Sequence, residues 1–206
     1  MSLLDLNAFA DTPLVIDPFD YTVVPGFLRA ESVSLVRRDF PVILYPGLLP
    51  LAETDYGPGF AALIDELRSA EVAAAFSEKF GVDLSERPLM ITVRGRCQPK
   101  DGRIHTDTES KLVTGLLYLN DSWEADGGRL RLLRGPNDLD DMIAEVPPNN
   151  GTLVAFRRGE RSYHGHKPYE GVRRYVMFNW MTEARAAARE VTRHRISARI
   201  KRWTAA

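Results

Sequence analysis

From Pro88 onward the chain changes character, and that change limits the folds open to it. Apolar runs LMITVRGRC, KLVTGLLYL, RLRLL, GTLVAF and RRYVMFNW follow one another, each five to nine residues long and bounded by Gly, Pro, Asn or Asp, as short strands are. The part before Pro88 reads differently. Residues 13–28 form two short β segments punctuated by Pro13, Pro18 and Pro25, and Glu31 to Phe40 reads as a helix. Two more helices are predicted over Gly59–Leu67 and Glu71–Phe80, the first with Phe60, Leu63 and Leu67 at helical spacing and the second stopped by Gly81. Six or so strands behind a helix-bearing N-terminal third imply a mainly β fold with a helical annex (α+β). The expected architecture is a sandwich or jelly roll with helices packed on one sheet.

A last helix, Ala184 to Trp203, carries seven Arg or Lys and an Ile196, Ile200, Trp203 stripe. The stripe favours a helix that docks on the β core and exposes its charges over one that grips nucleic-acid phosphates. The 206 residues fit one domain, 1–206, with a core at about 88–182, support from 1–87 and the terminal helix over 183–206. A net charge of −1 gives no global reason to expect a nucleic-acid or membrane partner. The lone Cys97 cannot form an internal disulfide, which suits a cytoplasmic setting. The first twenty residues lack a basic leader, and no apolar run approaches the ~18 residues of a membrane span.

Chemistry concentrates in Gly102–Asn120, GRIHTDTESKLVTGLLYLN. His105 and Asp107 stand two apart on extended backbone, so both project from one face. An imidazole and a carboxylate there supply two members of the 2-His-1-carboxylate triad that holds non-haem Fe(II) and leaves other positions open. A third ligand must come from a distant segment. Ser162-Tyr163-His164-Gly165-His166-Lys167-Pro168 offers two candidates, His164 and His166, which share a face if that segment is a strand.

The wider pattern runs through His105-Thr106-Asp107, LYLN ending at Asn120, Trp123, GGRLRL from Gly127, GTLVAF from Gly151, HGHKP from His164, and Arg174 with Trp180 six residues on. Over roughly residues 88–182 it resembles the Fe(II)/2-oxoglutarate-dependent oxygenases, and among them the prolyl-hydroxylase-like branch. The resemblance implies a double-stranded β-helix that uses Fe(II), with 2-oxoglutarate and O2 as co-substrates, to hydroxylate a C–H bond. It places the distal ligand four residues before the proline, which selects His164 and leaves His166 to line the co-substrate pocket or support a ligand.

A guanidinium should anchor the far carboxylate of 2-oxoglutarate, because it can pair in two-pronged fashion. Alternation groups Arg174 with Val176, Phe178 and Trp180, an apolar row expected to look inward, and the resemblance points to Arg174 as well. By the same resemblance Tyr118 would hydrogen-bond that carboxylate and Leu130 would pack on its aliphatic part. Arg94, Arg96 and Gln98 share parity ahead of His105 and belong either to the substrate side of the pocket or to a solvent-facing edge strand. The family often has a tyrosine here that this chain lacks, so a prolyl substrate does not follow. A small molecule or a peptidyl residue is expected, with the oligomeric state open. The alternative function is a non-catalytic metal- or ligand-binding jelly roll acting as a sensor or interaction module.

Overall fold

The structure is a computed structural model that describes the backbone of residues 2–204 and the side chains to Ser197. In chain order the elements are α1 (Leu6–Asp11), β1 (Tyr21–Val24), α2 (Ala30–Arg38), β2 (Leu49–Pro50), α3 (Pro58–Leu67), α4 (Ala70–Phe80) and β3 (Leu89–Cys97). They continue with β4 (Lys111–Tyr118), β5 (Leu130–Leu133), β6 (Met142–Val146), β7 (Leu153–Arg157), β8 (His164–Gly165), β9 (Gly171–Met181) and α5 (Ala184–Thr204). The strands form a six-stranded sheet in the order β1-β7-β4-β9-β3-β2 and a three-stranded sheet in the order β6-β5-β8. Every strand pairing in both sheets is antiparallel, giving the double-stranded β-helix that the strand-rich second half predicts.

The helices pack on the outer face of the large sheet because β9 alternates. Val176, Phe178 and Trp180 join the buried cluster that holds Phe60, Leu63, Phe76 and Phe80 of α3 and α4. The Phe76 ring lies 5.7 Å from that of Phe178 and 4.7 Å from that of Trp180. Local signals fix the helix ends. Ser69 caps α4 by accepting from the Val72 amide, and Gly81 takes the left-handed conformation, φ 61°, that closes it. The opposite parity of β9, Tyr175 and Met177, faces the small sheet in a second cluster with Leu116, Leu130, Leu132 and Phe156.

Gly115 on β4 lies opposite Phe178, and a Cβ there would sit 2.3 Å from the ring. Gly115→Ala should therefore overpack this seam and lower stability by about 1–3 kcal/mol, measured by urea unfolding. A variant as stable as the parent would show that the ring moves freely.

Sequence reading misses α1 and β6, both short and weakly patterned. It also misplaces Ile196 of α5. The helix docks through Ala186, Ala187 and Val191 against Met90 and Met181, while Ile196 is exposed. The side chains of Ile200 and Trp203 lie outside the described residues. The arginines of α5 dominate its composition, so the small residues that make the contact carry little periodic signal. Among the described residues, no helix is long and apolar enough to cross a membrane.

Candidate metal and co-substrate site

The two segments that carry the candidate ligands are stitched together directly. His105 and His164 form an isolated antiparallel bridge, each backbone N–H donating to the other residue's carbonyl at 3.0 Å. The His166 amide donates to Gly102 O at 2.9 Å. Gly102 is needed there, since its φ is 85° and a Cβ would meet the His166 ring at 2.4 Å. This close packing brings one ligand atom from each of His105, Asp107 and His164 within 4.8 Å of the others.

The hydrogen bonds fix the chemical state of each group. Nδ1 of His105 lies 2.8 Å from Arg103 O, and Nδ1 of His164 lies 2.9 Å from Ser162 O. A carbonyl only accepts, so each Nδ1 carries the proton and each Nε2 keeps its lone pair. Asp107 accepts from Lys111 Nζ at 2.7 Å on Oδ1 and from Thr114 Oγ1 at 2.6 Å on Oδ2. Burial, the largest single influence, would raise its pKa, but the Lys111 charge, the neighbouring His164 and the hydrogen bonds from Lys111 and Thr114 together outweigh it and hold the carboxyl well below the usual range. Asn179 places its side-chain amide 2.9 Å from the same Thr114 hydroxyl. Thr114 has a single proton, committed to the carboxylate, so the contact is satisfied when the amide nitrogen faces the hydroxyl.

Burial pushes both His164 and His166 down to about 4. For His166 the Arg173 charge adds to the effect. Both imidazoles therefore stay neutral through the neutral range, as a metal ligand must. The unfolded chain takes up these protons near pH 6.5 while the folded chain resists until about 4. Stability of the metal-free protein should then fall as pH drops through that window, by on the order of 2–3 kcal/mol per pH unit for two groups. Denaturant titrations at stepped pH check this, and a flat response from 6.5 to 4 would contradict it.

A cavity of about 260 Å³ opens beside the three ligand candidates, lined among others by Leu116, Leu130, Arg94, Arg173, Tyr175 and His166. Tyr118 is fully buried behind this wall, and its hydroxyl accepts from Arg173 Nη2 at 3.1 Å. Burial raises the Tyr118 phenol to about 12, so its proton is retained for donation.

The expected anchor is corrected. Arg174 does not line this cavity; Arg173 does. The apolar row of β9 faces the helices, and Arg174 shares that outer parity. Arg173 shares the inner parity with Tyr175 and Met177, is 2% exposed, and donates Nε to Gly128 O at 2.7 Å. Among the described residues, no carboxylate lies within ion-pair distance of its guanidinium. The expected grouping of Arg94, Arg96 and Gln98 is corrected too. A register shift between Arg94 and Arg96 breaks the parity. Arg94 lines the cavity and pairs with Asp101 at 2.5 Å, while Arg96 turns to the opposite face of the sheet. Gln98 lines neither space. Its amide N–H donates to Asp101, and its Nε2 is buried with no partner.

Lys111, Thr114 and Asn179 escape sequence reading because nothing in their spacing shows that they converge on Asp107. Arg193 and His194 of α5 also line the cavity. Asp140 and Glu145 pair with Arg131.

Comparison with known proteins agrees with this geometry. Residues 95–182 match the family model described as the 2OG-Fe(II) oxygenase superfamily. No curated protein matches by sequence. Among solved structures, a Pseudomonas putida prolyl-4-hydroxylase is 20% identical, with a TM-score of 0.55 over 85% of this chain and 90% of that one. The viral collagen prolyl hydroxylase of Paramecium bursaria Chlorella virus-1, solved with 2OG, is 16% identical, with a TM-score of 0.55 over 81% and 97%. A Trichoplax adhaerens prolyl hydroxylase, in complex with a hypoxia inducible factor peptide fragment, is 14% identical, with a TM-score of 0.50 over 85% and 86%. At these identities the solved structures share the fold. Family model, fold and a His-Asp-His set that fits iron agree: over residues 95–182 the chain matches the 2OG-Fe(II) oxygenase superfamily, a family that uses Fe(II), 2-oxoglutarate and O2.

Proposed function

We propose that the protein is an Fe(II)- and 2-oxoglutarate-dependent hydroxylase, with His105, Asp107 and His164 as the iron ligands. The observation that carries this reading is the pair of Nδ1–carbonyl contacts, which leaves two Nε2 lone pairs beside one ionised carboxylate. His105, Asp107 and His164 would hold the iron, which would supply the chemistry by which O2 converts 2-oxoglutarate to succinate and CO2 and gives its second oxygen atom to a substrate C–H bond.

The chain's own groups do the rest. Lys111 and Thr114 hold Asp107 in one orientation and keep it ionised. Arg173 pairs with the distal carboxylate, a counter-charge its buried guanidinium otherwise lacks, and Tyr118, behind the cavity wall, sets the Arg173 fork through its hydroxyl. Leu130 packs the aliphatic part of the oxo-acid, Phe156 packs 4.7 Å from the His164 ring, and His166 walls the pocket as a neutral group. The substrate, a small molecule or a peptidyl residue, enters past Thr106, Thr108, Lys111, Arg193 and His194. Arg94 faces the same space from β3. We take residues 88–182 as the catalytic core of one domain, supported by 1–87 and flanked by 183–206.

The test is iron-dependent formation of succinate from 2-oxoglutarate by the purified protein. Turnover that vanishes on chelation and returns with ferrous ion is expected. A jelly roll that only binds a metal or ligand gives no succinate.

A further inference from the structure

The two arginines that leave the oxygenase cavity come together elsewhere. Arg96 and Arg174 line one groove of about 370 Å³ on the opposite side of β3 and β9. Arg37 and Arg38 also border it, but Asp121 pairs with the first and Asp39 with the second. Arg96 and Arg174 are half-buried, and among the described residues neither lies within ion-pair distance of a carboxylate. Two guanidiniums that line one groove with no carboxylate partner favour an anionic visitor.

The facing wall is residues 41–44. Ile43 is buried against Gly95, where a Cβ would lie 2.6 Å from the Ile43 Cβ. That anchor turns its neighbours outward, leaving Val42 85% and Leu44 77% exposed. Among the described residues, no backbone hydrogen bond engages Val42, Ile43 or Leu44. An unpaired stretch with an apolar outer row is what proteins normally cover or charge, because it invites another strand.

We propose that this groove docks an extended segment of a polypeptide partner in which apolar and acidic side chains alternate. Main-chain groups of the segment pair with Val42–Leu44, its apolar side chains cover Val42 and Leu44, and its carboxylates reach Arg96 and Arg174. The proposal stands apart from the iron reading, because β3 and β9 separate the groove from the cavity and no ligand candidate lines it.

Fluorescence anisotropy with three labelled four-repeat peptides tests it: (Val-Glu), (Val-Lys) and (Ser-Glu). The (Val-Glu) peptide should bind saturably, at least about tenfold tighter than either of the others, and weaken with salt. Arg96→Glu with Arg174→Glu should cost at least about tenfold in that affinity, at an unchanged melting temperature. Val42→Ser with Leu44→Ser keeps every charge and should weaken the same peptide. Equal binding of the (Val-Lys) or (Ser-Glu) peptide, no binding of any of them, or indifference to both double variants would overturn the proposal.

Discussion

Arg173→Met is expected to weaken 2-oxoglutarate binding by about 30-fold or more, whereas Arg174→Met should leave it within about twofold. The first removes a buried guanidinium whose direct bonds run to Gly128 O and Tyr118 Oη, neither a counter-charge. Leaving a dicarboxylate's far end unpaired in such a place costs about 2–5 kcal/mol. The second removes a side chain on the helix-facing side of β9. Calorimetry with a redox-inert divalent metal in place of iron reads the difference without turnover. A second signature separates loss of an anchor from loss of fold. Without its ligand Arg173 is a buried charge short of a partner, so the metal-free Arg173→Met protein should melt no lower than the parent. If Arg174→Met is the variant that loses 2-oxoglutarate, the assignment of the inner face is wrong.

Asp107→Ala should abolish succinate formation, by at least about a thousandfold or about 4 kcal/mol in barrier terms, and destabilise the metal-free fold as well. The carboxylate neutralises Lys111, whose ammonium is itself buried. Breaking such a pair from one side costs about 3–5 kcal/mol. Asp107→Ala combined with Lys111→Met removes the stranded charge, so it should recover most of the unfolding free energy and none of the turnover. Urea unfolding alongside a succinate assay separates the two effects. Recovery of activity in the double variant would mean that Asp107 serves the fold alone.

The parts of this molecule legible in the sequence are those set by local rules. His105 and Asp107 two apart on extended backbone, Gly81 after an apolar helical run, and strand lengths bounded by Gly and Pro each follow from a few neighbouring residues. Arg174 illustrates what local rules leave out. Alternation separates its row from that of Arg173, but which row looks inward depends on what covers each face of the sheet. The most apolar row here packs on α3 and α4, while the cavity row mixes Arg173, Tyr175, Met177 and Asn179. Arg96 fails for another reason. One irregularity in the β3–β9 register undoes the parity that its spacing from Arg94 implies. Lys111 and Thr114 meet Asp107 only once the turn after it has folded back, and no spacing rule encodes that return.

The most direct test is a crystal structure of the protein grown anaerobically with ferrous ion and 2-oxoglutarate, with anomalous scattering recorded at the iron edge. One strong peak is expected, bonded to His105 Nε2, His164 Nε2 and an Asp107 oxygen, with the distal carboxylate of the oxo-acid on Arg173. A peak away from these three side chains, or the oxo-acid held by Arg174, would contradict the account.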